Sequence, residues 1–136
     1  MNDSQSGQVS VFVIGTALIC FAVAGVAVDG TRAFLYRRTL QNAADGAALA
    51  GASEIDRGAY YSNREDVVLD GVGARSIALQ WLARRGLPVD ADVSATPTSV
   101  RVGLRGRLGT TFLGLIGITA LPVAAEAAAE PLSGAP

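Results

Sequence analysis

"VSVFVIGTALICFAVAGVAV", residues 9–28, runs for twenty positions without a charge. At about 1.5 Å of rise per residue, a helix of that length extends roughly 30 Å, the thickness of a bilayer's hydrocarbon core. The run is apolar on every side and too long for the core helix of a small soluble domain, so it predicts one transmembrane helix. A cleaved secretory signal is the rival reading, with Ala22-Val23-Ala24 as a small-residue cleavage site. Such a signal wants a basic leader, and "MNDSQSGQ", residues 1–8, holds neither Lys nor Arg. The span uses up part of a 136-residue chain, which leaves room for one modest domain with a small core.

Within the run Thr16, Cys20 and Ala24 recur at every fourth position, a small-xxx-small row that lets two membrane helices approach closely. No Pro or loop cluster interrupts the chain between the run and Ile55. One helix is therefore predicted from about Val9 to about Asp56: residues 1–8 form a short leader, 9–28 the span and 29–56 its extension. Past the span, Ala33, Tyr36, Leu40, Ala43, Ala47 and Ala50 fall at alternating steps of three and four, a seam that faces a neighbouring helix. Alanine keeps the helix and lets a neighbour's backbone come close. Gly46 and Gly51 each cost the helix up to about 1 kcal/mol relative to Ala, which a close contact would have to offset. Asp29 and Arg32 share one helix face where the apolar run ends and are expected at the membrane interface. Asp45 is a candidate polar contact.

Residues 57–130 read as a small α+β head. A turn-like "RGAYYSN", 57–63, precedes a second amphipathic helix from about Arg64 to Arg85, with Ser62 or Asn63 as cap and Gly86 closing it. Trp81 is read as one of its core residues. "VDADVSAT" and "VRVGLRGRL" then alternate with a two-residue period across Pro97-Thr98-Ser99, the pattern of a hairpin on a half-buried sheet, with Arg101, Arg105 and Arg107 on its polar face. "GTTFLGLIGI" reads as a short capped helix, Thr111 to Ile116, closed by Gly117. Residues 121–130 are ambiguous: alanine favours helix, whereas Val123, Ala125, Ala127 and Ala129 would line one face of a strand. The tail, 131–136, is expected to be disordered.

Composition excludes several classes of function. A net charge of −1 offers no basic footprint for nucleic acid. Histidine is absent and the lone Cys20 lies inside the apolar run, so the usual zinc, Ser-His-Asp and Cys-His sites have no residues to build them. Asp90 and Asp92 stand two apart on one face of a strand, as ordinary solvated residues also do. The chain is read as no enzyme, with no cofactor and no metal.

"GQVSVFVIGTALICFAVAGVAVDGTRAFLYRRTLQNAADGAALAGAS", residues 7–53, resembles the N-terminal signature of the TadE/TadG-like proteins of the tight-adherence (Flp) pilus assembly system. The shared features are a Gly before an apolar span, Asp and Arg at its exit, and a Gln-Asn-Ala-Ala-Asp and Ala-Ala-Leu-Ala run. The C-terminal half is similar too, through "VRVGLRGRLGTTFLGLIGI" and the Ala-rich ending. The resemblance implies a non-enzymatic minor pilin or pseudopilin, single-pass in the bacterial cytoplasmic (inner) membrane, with its N-terminus inside and its head outside the cytoplasm. It implies membrane lipid and other pilin or pseudopilin helices as partners, with no nucleic acid and no small-molecule substrate, and it favours a strand for Val123 to Ala129.

Two features stand against the family pattern. Arg32, Arg37 and Arg38 follow the span, so the positive-inside rule alone would leave the C-terminal part in the cytoplasm, although folded domains can translocate despite such a bias. Pilin-type precursors are cut after a Gly with Glu five residues downstream; Gly7 is present here, but Phe12 occupies that later position. The alternative function is a membrane-tethered adhesion or binding module, in which the helix only anchors the head.

Overall fold

The computed structural model describes residues 3–54 and 69–131, with side chains from Gly7 onward. Helix α1 (Asp3–Ala52) is unbroken, as the lack of Pro and the wealth of Ala predict. It includes the one stretch among the described residues that is long and apolar enough to cross a membrane. Helix α2 (Gly71–Arg85) follows, then β1 (Val89–Ala95), β2 (Val100–Gly109), a 3₁₀ turn (Leu113–Ile116) and β3 (Ala120–Ala129). The three strands form an antiparallel sheet in the order β1-β2-β3, which makes the architecture α+β. The ambiguous C-terminal stretch is thus a strand: Val123, Ala125 and Ala127 point inward and the residues between them outward, a period that suits a half-buried sheet.

Helix α2 begins later than its predicted start near Arg64. Leu69 is extended, donating its N–H to the Pro97 carbonyl at 2.9 Å, and Asp70 is the cap, its carboxylate accepting from the Val72 N–H at 3.1 Å. The predicted caps Ser62 and Asn63, the turn at 57–63 and the end of the tail lie outside the described residues. Gly86 closes the helix in the left-handed region (φ 60°), and Arg84 and Arg85 occupy the last turn, where cations complement the helix dipole. The expected hairpin is present, with Val93 paired to Val102 and Asp90 opposite Arg105.

The chain divides into two compact units, Met1–Phe34 with Leu108–Leu121, and Leu35–Arg107 with Pro122–Pro136. In the second unit, Leu40, Ala43, Ala44, Ala47, Ala48 and Ala52 are buried, a stripe with helical periodicity along the latter half of α1. Helix α2 adds Ala74, Ala78 and Leu82, and β2 adds Val100, Val102 and Leu104. The small residues permit very close approach. A Cβ at Gly51 would lie 2.8 Å from the Ala74 carbonyl oxygen and 3.1 Å from Val100 Cγ1, and one at Gly46 would collide with the Cζ2–Cη2 edge of the Trp81 ring. Trp81 is half-buried, with the Arg85 guanidinium 4.4 Å from its ring centroid. In the same unit, the Gln41 amide nitrogen donates to the Glu126 carbonyl at 3.0 Å, tying α1 to β3.

Candidate functional site

Asp29 is the first charged residue after the uncharged run 9–28, and only 1% of its surface is exposed. A carboxylate removed from water needs partners. It finds them in the loop between β2 and β3, where the N–H groups of Thr111, Phe112 and Leu113 donate to it at 3.0, 2.8 and 2.7 Å. The N–H of Leu113 first, and that of Thr111 next, hold the carboxyl below its ordinary pKa. Arg32 lies 3.6 Å away and donates to the Thr111 hydroxyl at 2.7 Å. The expected Asp29/Arg32 pair is therefore present, but the carboxylate's main partners come from 82–84 residues further along the chain.

This arrangement corrects the predicted helix at Thr111 to Ile116. Helical geometry is confined to the 3₁₀ turn at Leu113–Ile116, and Phe112 at its start makes no side-chain cap. Asp29 supplies the cap from outside the loop. Gly117 closes the turn with φ 92°, a conformation that a side chain would strain. No local pattern announces a partner so distant in sequence. One signal is available: Leu108 to Ala125 contains no charge, unusual for a segment that holds the loop between two strands.

Thr16, Cys20 and Ala24 are all exposed, as is Gly7. At about 100° per residue, their row runs beside the line Phe21, Gly25 and Asp29, about 100° further round α1. That second line carries the loop. Phe112 stacks edge-on against Phe21 with ring centroids 6.2 Å apart, and a Cβ at Gly25 would lie 2.6 Å from Phe112 Cβ. The row of small residues is left bare.

The downstream seam has a different environment. Ala43 and Ala47 are completely buried inside the chain's own fold and Ala50 is half-buried, so the neighbours that this thin stretch admits are α2 and the sheet. Asp45 is exposed and accepts from the Gln41 amide, one turn earlier on α1, at 3.0 Å. Asp90 and Asp92 lie exposed on β1. Among the described residues no three Cys, Asp or Glu side chains gather as a metal site would require.

The profile of the family described as "Putative Flp pilus-assembly TadE/G-like" matches residues 7–54. The matched segment contains the span, the small-residue row, Asp29, Arg32 and the buried alanines. No curated protein and no solved structure matches the chain.

Proposed function

We propose that this chain is a non-enzymatic, membrane-anchored subunit of a Flp (tight-adherence) pilus assembly system, a minor pilin or pseudopilin that acts through helix packing. The observation that carries the reading is the TadE/G-like match over residues 7–54, laid on an unbroken apolar helix whose Thr16, Cys20 and Ala24 row has no partner in its own chain among the described residues. Lipid gives no hydrophobic drive for helix association, so a neighbouring pilin helix would be held by close van der Waals contact along such a row. Ala43, Ala47 and, in part, Ala50 then act at one remove, keeping α2 and the sheet packed on the latter half of α1.

In this reading the N-terminus stays in the cytoplasm, residues 9–28 cross the inner membrane, and Asp29 and Arg32 mark the outer interface, with the head beyond. Replacing residues 9–28 by an unrelated apolar span of equal length tests the proposal in cells that assemble the pilus. Loss of piliation with the protein still present in the membrane is expected. Unchanged piliation would make the helix a mere anchor and favour the adhesion-module reading.

A further inference from the structure

The loop between β2 and β3 has an unusual composition and an unusual place. Its stems are Thr110, Thr111 and Thr119, and everything between them, Phe112 to Ile118, is Phe, Leu, Ile or Gly. Loops at sheet ends are ordinarily polar because water must satisfy their backbone. Here Leu115 and Ile116 are 82% and 73% exposed. Together with Phe112 they form one wall of an apolar groove of about 210 Å³, whose other wall is Leu18, Phe21 and Val26 of the span. Phe21 precedes Asp29 by eight residues and Leu18 by eleven, so the groove extends about 12–16 Å below the point where the span ends. That is about half the thickness of a bilayer's hydrocarbon core.

We infer that the loop enters the outer leaflet beside the span and that lipid acyl chains cover Leu115, Ile116 and the groove. The inference rests on the reading of residues 9–28 as a membrane span. The lining itself argues for lipid, since one wall is the face of a helix that must meet acyl chains at that depth. Backbone hydrogen bonding supports it independently. Irregular backbone exposed to lipid is disfavoured because each unsatisfied polar group there costs several kcal/mol, so such a loop needs partners for them within the protein. The N–H groups of Thr111, Phe112 and Leu113 go to Asp29, that of Leu115 to Phe112, that of Gly117 to Gly114 and that of Ile118 to Leu113. The polar groups sit in order of depth, with Arg32 half-exposed above Asp29 and the threonine stems beside them. The loop is thus a second, shallow anchor, and Asp29 satisfies the three N–H groups with which it begins.

The test uses the full chain carrying C20S, with one new cysteine at a time bearing an environment-sensitive fluorophore, in phosphatidylcholine vesicles at high lipid excess. L115C samples the loop, I14C the span and D90C the exposed face of β1. Labels at 115 and 14 are expected to lose most of their emission to brominated phosphatidylcholine and little to iodide, with the label at 90 behaving in reverse. Iodide quenching at 115 with lipid quenching at 14 would overturn the loop's insertion and leave the span intact. Iodide quenching at 14 would remove the span reading and this inference with it. If the label at 115 is shielded from both quenchers until the chains are diluted into further lipid, a second copy covers the groove and lipid is the wrong occupant. An unchanged Trp81 emission maximum in L115C confirms that the fold is kept.

Discussion

Gly51→Ala isolates the contact on which the head's packing depends. Inside a helix, alanine is favoured over glycine by about 0.5–1 kcal/mol, so on propensity alone the substitution should stabilise. The structure predicts the reverse. The added Cβ would lie 2.8 Å from the Ala74 carbonyl oxygen, 3.1 Å from Val100 Cγ1 and 3.4 Å from Ala78 Cβ. Its nearest obstacle is the backbone of α2, which cannot rotate aside. Overpacking of this kind costs about 1–3 kcal/mol, and subtracting the propensity gain leaves a net loss of up to about 2.5 kcal/mol. For a domain of 60–100 residues that lowers the melting temperature by up to about 20 °C. Trp81, the only tryptophan, packs over Gly46 one turn away on the same helix pair, so its fluorescence on heating the full chain in detergent reports the transition. Gly30→Ala is the control: a Cβ there would meet nothing within 4 Å among the described residues, and the substitution should not lower the melting temperature. If Gly51→Ala raised it, α1 and α2 would not be in contact at this point and the buried alanine stripe would need another explanation.

Three further outcomes follow from the same packing. Leu104→Ala on the central strand, where the side chain is fully buried, should cost about 2–5 kcal/mol in denaturant unfolding of the chain, while Leu115→Ala should leave that transition in place. Tyr36 carries a buried hydroxyl with no hydrogen-bond partner among the described residues, so Tyr36→Phe should be neutral or stabilising by up to about 1 kcal/mol in the same assay; a clear loss would reveal a partner for the hydroxyl. The Asp29 carboxyl is held below its ordinary value, so its contribution is present above the unfolded pKa and lost as pH falls through the folded one. Protection of the 111–113 amides, measured against their intrinsic exchange rates at each pH, should therefore hold down to about pH 4 and fall below it. In Asp29→Asn it should be low throughout, and equal protection in the two proteins would contradict the cap.

Much of this architecture is legible in sequence because it is written in local periodicities. The uncharged run marks the apolar first half of α1, the two-residue alternation marks the hairpin, and Gly86 and Gly117 mark where helical turns close. The alanine stripe is legible as a close-packing surface, but its spacing does not say against what. Ala43 and Ala47 meet their own chain, a tertiary fact that no pattern along α1 contains. The start of α2 falls later than predicted because Asp70, a good cap residue in its own right, accepts from the Val72 N–H while Leu69 before it is held extended by the Pro97 carbonyl. Alanine's helix propensity misleads at residues 121–130, where the ladder with β2 and the burial of alternate side chains prevail. Asp29 shows the limit most clearly: its place at the exit from the span is plain in the sequence, while its partners lie more than eighty residues away.

These placements also decide where a packing test should be made. Ala47→Leu would disturb the head's own core, so a loss of assembly there could not be separated from misfolding. The bare row within the span can be probed without touching that core. A photoreactive side chain placed at position 20 or 24, on the exposed side of α1, should yield covalent adducts with pilin-type membrane proteins in cells that assemble the pilus. The same side chain at position 22 or 26, on the side that carries the loop, should not. Equal adducts from both sides, or none from 20 and 24 in cells with intact pili, would contradict helix packing as the way this chain works.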